Sequence, residues 1–294
     1  MKFRGVLPAI TTPFTTDDGV DHAFLRDHVR QMLDAGCAGI VALGSLGEGA
    51  TLDADEKRAV LTTCVEAAGG APVVAAVSAL STRDAVAIAQ MVDAVGCQGL
   101  MVLPPYVYPT GWDEMGAHVR AILKATDLPA MLYNNPIAYG VDFRPEHVAD
   151  LAASYPHLVA VKESSGDARR VTAVRALLGD RLDVCVGLDD MAVEGAAAGA
   201  VGWVAGLVNA FPAESVALWE GARAGRDVSD LYGWFLPLLR LDTVPHFVQL
   251  IKLVQQAVGM GTETVRPPRL PVAGAERDDA LAIIRTALDT RPSL

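Results

Sequence analysis

A (β/α)8 barrel with a C-terminal helical extension is the fold the sequence predicts, on three observations. Short runs rich in Val, Ile and Leu alternate with amphipathic stretches of helical length. They recur at roughly thirty residues, the length a strand–helix unit needs. The joints repeat as well. Ala35-Gly36-Cys37-Ala38-Gly39, Val95-Gly96-Cys97-Gln98-Gly99 and Ala198-Gly199-Ala200-Val201-Gly202 each read as a glycine that stops a helix, then a short turn into a strand.

In chain order the candidate strands are Val6–Ile10, Gly39–Leu43, Pro72–Ala76, Gly99–Leu103, Pro129–Tyr133, Leu158–Lys162, Asp183–Val186 and Ala200–Val204. The helices between them fall near His22–Ala35, Asp53–Ala68, Thr82–Val95, Trp112–Thr126, Pro145–Ser154, Asp167–Leu178 and Met191–Ala198. Strands in regular alternation with helices predict a parallel sheet. An open doubly wound sheet is the lesser alternative, because no GxGxxG follows the first strand. After Val204 the alternation stops. Pro212–Ala224, Val228–Leu239, Val244–Val258 and Glu276–Leu288 read as helices only. The first closes the barrel, so residues 1–224 form it and residues 225–294 form a helical region packed against it. No linker rich in Pro, Gly or Ser separates the two. Arg266-Pro267-Pro268-Arg269-Leu270-Pro271 is the one extended, proline-rich segment.

The 294 residues are 51% hydrophobic and 20% charged, which supports a large core. A formal net charge of -11 and a pI near 4.9 argue against nucleic acid and anionic membrane as partners. Cys37, Cys64, Cys97 and Cys185 have neither CxxC nor zinc-ligand spacing, so no metal and no cofactor is expected. Each sits among Ala, Val and Gly, as a reduced core thiol of a cytoplasmic protein would. Met1-Lys2-Phe3-Arg4-Gly5 is too short and polar for a signal peptide, and no apolar run approaches membrane-span length. The six histidines fall on predicted helices or loops, most of them as surface residues, and none is assigned to catalysis.

Loops after the carboxyl ends of barrel strands build the active site. Lys162 closes the apolar run Leu158-Val159-Ala160-Val161, which reads as a strand buried on both faces. Desolvation there lowers a lysine's pKa, and a neutral amine is a nucleophile suited to Schiff-base chemistry. The plainer alternative is an ion pair with Glu163. Tyr133 ends the neighbouring strand, where a phenol either shuttles protons for an imine or packs against the next helix. The turn Gly44-Ser45-Leu46-Gly47-Glu48-Gly49 either holds a carboxylate on open N–H groups and the Ser45 hydroxyl or is a tight turn before the helix from Asp53. Asp189 and Asp190 either contact substrate or cap the seventh helix.

Three segments carry a family likeness: Gly44-Ser45-Leu46-Gly47-Glu48, Tyr133-Asn134-Asn135-Pro136 and Val161-Lys162-Glu163-Ser164-Ser165-Gly166. With Thr11-Thr12-Pro13-Phe14 they resemble, in order and spacing and over nearly the whole chain, the dihydrodipicolinate synthase / N-acetylneuraminate lyase family. The resemblance implies a barrel enzyme, usually a homotetramer (a dimer of dimers), that forms a Schiff base with a small carboxylate substrate and uses no metal. By motif position Lys162 forms the imine and Tyr133 relays protons. Ser45 and the turn at Leu46 and Gly47 bind the α-carboxylate. Gly187, Val204, Tyr106 and Asp189 complete the pocket.

Three departures from the family pattern narrow the activity. Leu46 replaces a second hydroxyl residue in the glycine turn. Dihydrodipicolinate synthases carry paired tyrosines after strand 4, the second reaching into a neighbouring subunit's site. That second position is Val107, and Tyr108 is one residue out of phase, so the tyrosine-threonine-tyrosine relay of those synthases is incomplete. They also hold a second substrate's carboxylate with an arginine two residues after the Tyr-Asn-x-Pro motif. Ala138 stands there, and a pocket with no cation in reach binds that anion poorly. Further segments are similar to the bacterial Δ1-pyrroline-4-hydroxy-2-carboxylate deaminases of hydroxyproline breakdown. They are Gly187-Leu188-Asp189-Asp190, Ala200-Val201-Gly202-Trp203-Val204, Asn209-Ala210-Phe211-Pro212, Trp234-Phe235-Leu236-Pro237-Leu238-Leu239 and Arg266-Pro267-Pro268-Arg269-Leu270. That likeness implies a deaminase yielding 2-oxoglutarate semialdehyde and ammonia. A 2-keto-3-deoxy sugar acid dehydratase or aldolase, with Asn134, Asn135 and Asp189 as hydroxyl partners, stays open. So does a ligand sensor without turnover.

Overall fold

Strands that are apolar and buried on both faces are stable only where helices cover the sheet on each side. In the computed structural model, which describes residues 1–108 and 111–294, the apolar runs form such a sheet. Its strands are β1 (Gly5–Pro8), β2 (Ile40–Ala42), β3 (Val73–Val77), β4 (Gly99–Val102), β5 (Ala130–Asn134), β6 (Leu158–Glu163), β7 (Asp183–Val186) and β8 (Gly202–Ala205). The order is β1-β8-β7-β6-β5-β4-β3-β2, and paired neighbours are parallel. Gly5–Pro8 lies opposite Gly202–Ala205, and a single bridge between Ala9 and Val41 joins β1 to β2, closing the barrel.

The barrel helices are α1 (His22–Asp34), α2 (Ala54–Ala68), α3 (Thr82–Val95), α4 (Trp112–Leu123), α5 (Pro136–Tyr139), α6 (Pro145–Ser154), α7 (Arg169–Leu178), α8 (Ala192–Ala197) and α9 (Pro212–Arg223). Gly36, Gly96 and Gly199, the glycines of the repeated joints, have φ of +99°, +88° and +100°, a backbone region in which a side chain is strained. The N-terminus of α2 is capped by Asp53 and Glu56 acting reciprocally, so the Ser45 turn is not needed as a cap. The short helix α5 has no counterpart among the predicted elements. Pro136 starts it, Asn135 Oδ1 accepts from Ala138 N at 3.0 Å, and Gly140 ends it at φ +65°.

Beyond α9 come α10 (Ser229–Leu239), α11 (Phe247–Ala257) and α12 (Gly274–Asp289). Trp234 Nε1 donates to the Ala287 carbonyl at 3.0 Å, tying α10 to α12. Lys252 of α11 reaches the barrel. Its Nζ donates to Glu48 Oε1 at 2.6 Å and to the carbonyls of Thr12 and Thr264 at 2.8 Å each, over the ring of Phe14. The Thr11-Thr12-Pro13-Phe14 segment thus helps house a buried ion pair. Two of the six histidines, His28 and His118, are buried. His28 Nε2 pairs with Asn209 Oδ1 at 3.0 Å and His118 Nδ1 with Thr82 Oγ1 at 3.0 Å. A polar ring on the inner face of a helix is held there by such a partner.

Removing one member of a buried ion pair strands the other without compensation. Lys252→Ala is expected to cost about 3–5 kcal/mol, read as a lower urea midpoint. Glu48→Gln combined with Lys252→Met costs less than the sum of the single changes.

Candidate active site

The period of two in β6 points Lys162 to the same side as Ala160, into the barrel mouth. Tyr133 is its cross-strand partner in the β5–β6 ladder, and Lys162 Nζ lies 4.3 Å from the centre of the Tyr133 ring. Only 7% of Lys162 is exposed. The lysine stem is accommodated by Gly187, just past β7. A Cβ at Gly187 would stand 2.0 Å from Ser164 Oγ and 2.5 Å from Lys162 Cε, closer than atoms pack. Burial pushes the Lys162 pKa down, opposed in part by the fields of Asp242, Tyr139 and Asp189. Glu163 is not its ion-pair partner. That carboxylate turns away and accepts from Asn134 Nδ2 at 3.0 Å and Ser165 N at 2.7 Å.

A cavity of about 560 Å³ opens at the carboxyl ends of the strands, a size that suits a small-molecule site. Lys162, Tyr133, Ser45, Leu46, Gly187, Val204 and Tyr106 all line it. The Ser45 turn is flanked by Leu43 and Glu48 with φ of +61° and +53°, strained values for residues with a side chain. Gly49 N bonds to the Gly44 carbonyl and Glu48 N to the Ser45 carbonyl. The N–H groups of Ser45 and Leu46 have no backbone partner among the described residues. Such a turn can receive a carboxylate.

Two predicted pocket residues lie elsewhere. Gly47 is packed under the turn: its carbonyl accepts from Thr12 Oγ1 at 2.6 Å, and a Cβ would meet the Ile10 carbonyl at 2.9 Å. It shapes the turn without lining the cavity. Asp189 is fully buried and neither lines the cavity nor caps a helix. Its carboxylate accepts from Trp203 Nε1 at 2.9 Å, Gly206 N at 3.1 Å and Leu207 N at 2.7 Å, locking the turn after β8. Burial raises its pKa to about 6 against the pull of those donors. Asn134 is likewise committed, to Glu163, Asp142 and the Phe143 N–H. Of the three hydroxyl partners foreseen for a sugar acid, Asn135 alone faces the cavity.

Four residues not foreseen also bear on the site. Tyr139, on α5, lines the cavity and its hydroxyl is hydrogen-bonded to Ser45 Oγ. Ser164 Oγ is buried near Lys162 with no hydrogen-bond partner among the described residues. Asp242, in the turn after α10, lines the cavity wall, and Gly206 leaves room for it: a Cβ there would be 2.1 Å from Asp242 Oδ1. Burial and the charge of Asp189 hold its carboxyl well above the usual carboxylate range, with Lys162 opposing. Arg269 lines the cavity too, its Nη1 3.6 Å from Glu48 Oε2. The pocket therefore has a guanidinium in reach, contrary to the expectation drawn from Ala138. Only Ser164 carried a local signal, as the small residue two places after a strand-end lysine.

The profile of the Dihydrodipicolinate synthetase family matches residues 2–287. The 4-hydroxy-tetrahydrodipicolinate synthase of Methanopyrus kandleri is 32% identical over 292 residues, covering 98% of this chain and 96% of that protein. The enzyme of the same name from Salinibacter ruber is 34% identical over 281 residues, covering 92% and 91%. A crystal structure of a dihydrodipicolinate synthase from Bacillus anthracis superposes with a TM-score of 0.92 at 26% identity, covering 100% of both chains.

The clearance at Gly187 yields a test of the geometry. Gly187→Ala is expected to keep the far-ultraviolet circular dichroism spectrum. It displaces the lysine stem and lowers the rate of borohydride-trapped adduct formation with pyruvate, used as a carbonyl probe, by roughly tenfold or more. An unchanged trapping rate contradicts the placement of Lys162 against Gly187.

Proposed function

The chain belongs to the dihydrodipicolinate synthetase family and is a Schiff-base-forming lyase of that class, and we propose that its substrate is a small cyclic imino acid with a single carboxylate. The candidate that fits best is Δ1-pyrroline-4-hydroxy-2-carboxylate, deaminated to 2-oxoglutarate semialdehyde. One observation carries this reading. The cavity wall beside Tyr133 is Ile137, Ala138 and Tyr139, without a cation, while the Ser45–Leu46 turn offers one anion seat. Arg269 lines the cavity beside the buried Glu48 carboxylate.

In this reaction neutral Lys162 adds to C2 of the ring, the C2–N bond breaks, and the ring nitrogen stays on C5 as an amine. The protonated imine at C2 draws electrons from the C3–H bond. The C3 proton leaves by way of Tyr133, and the resulting enamine expels the 4-hydroxyl. Asp242, whose pKa is raised by burial and by the charge of Asp189, faces the cavity to donate to that leaving group. A proton shift then gives a C5 imine. Its hydrolysis releases ammonia, and hydrolysis of the Lys162 imine releases the semialdehyde, with one water consumed overall.

A second reading, a pyruvate-dependent condensation, is favoured by the names of the relatives and by the presence of Arg269 in the cavity. The commitment of Asn134 and Asp189 to structural bonds counts against a sugar acid. Intact Lys162 and Tyr133 lining one cavity count against a sensor without turnover. Assembly as a cytoplasmic homotetramer belongs to the same proposal. Exposed Val107, Tyr108 and Ile137, available for contact with another subunit, and four buried, free cysteines support it.

Purified protein is expected to release ammonia and semialdehyde from the pyrroline, and Lys162→Ala to lose both turnover and the borohydride-trapped adduct. A wild-type protein that traps pyruvate on Lys162 but frees no ammonia removes the deaminase reading and leaves the Schiff-base chemistry standing. Turnover by Lys162→Ala removes both.

A further inference from the structure

We infer that Tyr139 is a catalytic proton-relay residue, linking Ser45 to Tyr133 within one chain and so connecting the carbon beside the Lys162 imine to solvent at the cavity mouth. The inference rests on the Schiff-base reading above and goes beyond it by naming the path the proton takes.

The hydroxyl side chains of Ser45, Tyr139 and Tyr133 line the cavity together with Lys162. The Tyr139 hydroxyl is hydrogen-bonded to Ser45 Oγ. The Tyr139 ring stands edge-on to that of Tyr133, with centres 5.7 Å apart and planes at 87°. The nearby Tyr139 hydroxyl favours the Tyr133 phenolate against burial. The face of the Tyr133 ring is covered by Lys162 Nζ. Asn135 fixes both phenols: its Nδ2 donates to Tyr133 Oη at 3.0 Å, while its Oδ1 caps the helix that carries Tyr139. Tyr106 also packs against Tyr139, at 5.6 Å between ring centres, but bonds to neither hydroxyl among the described residues. Tyr108 is 61% exposed and does not line the cavity.

Burial raises the pKa of both phenols, so each is neutral near pH 7. A neutral phenol in a hydrogen-bonded row moves a proton by accepting one as it releases another. The step balances. The C–H bond next to the imine carbon breaks, and its electron pair forms the enamine double bond while the iminium nitrogen becomes neutral. The proton passes to Tyr133 Oη as the proton of Tyr133 passes to Tyr139. The proton of Tyr139 moves to Ser45 Oγ, and that of Ser45 to water. Reversal of the row returns a proton to carbon.

The test uses pyruvate, whose methyl protons exchange with deuterium oxide through such an enamine faster than by uncatalysed enolisation, the rate without protein being subtracted. Wild-type protein and Tyr139→Phe are incubated with pyruvate in deuterium oxide, with exchange followed by NMR and the Lys162 adduct quantified by borohydride reduction and mass spectrometry. The expected result is that Tyr139→Phe forms the adduct at the wild-type level and keeps the pyruvate KM within about twofold. Its saturated exchange rate falls by roughly a hundredfold or more. An unchanged exchange rate overturns the relay, as does a raised KM with normal exchange at saturation, which would make Tyr139 only a brace for the carboxylate turn. Loss of the adduct in the variant overturns it as well, by placing Tyr139 in imine formation. Absence of an adduct in the wild-type protein overturns the Schiff-base reading and the relay together.

Discussion

The structure depends on keeping one amine away from water. Lys162 has its stem threaded past Gly187 and its Nζ over the face of Tyr133, and a charged ammonium there loses hydration that the enclosed site only partly replaces. The carboxyl groups nearby do not restore it. Glu163 is turned outward, Asp189 is bound by three N–H donors, and burial with the charge of Asp189 raises the pKa of Asp242 and so weakens its carboxylate form. The balance lowers the pKa of the amine and so shifts it toward the neutral form, the one that attacks a carbonyl or imine.

The barrel supplies the nucleophile and the seat for a carboxylate, while the segment after α9 completes the wall. Asp242 and Arg269 enter from that segment, and Lys252 anchors it through Glu48, the residue that closes the Ser45 turn. A single buried ion pair therefore joins the far end of the chain to the turn that holds the anion seat. This coupling gives Glu48 its structural importance, since its side chain also accepts from Arg266 N at 3.1 Å.

Much of the fold was legible because each strand is a short apolar run and the repeated joints at Gly36, Gly96 and Gly199 carry a glycine with positive φ. Lys162, Tyr133, Ser45, Leu46, Gly187, Val204 and Tyr106 were legible at the strand ends because a barrel brings those ends together. Asp189 and Gly47 were misplaced for one reason: position after a strand says nothing of which way a side chain or carbonyl turns, and both turn into backbone bonding. Tyr139 was hidden in a one-turn helix too short for any periodicity to register. Asp242 and Arg269 sit in turns whose local sequence reads as polar surface, and only tertiary packing carries them to the cavity. The buried His28 and His118 were masked similarly, because their partners Asn209 and Thr82 are distant in sequence.

The substrate choice, the relay and the leaving-group acid all presuppose that Lys162 is uncharged when it meets its substrate. Nitrogen-15 NMR titration of the lysine side chains, with the Lys162 signal assigned by its loss in Lys162→Met, tests this most directly. The account predicts that Nζ of Lys162 titrates well below the roughly 10.4 of a free lysine side chain. A Lys162 that titrates at or above that value is a solvated or ion-paired ammonium, and contradicts it.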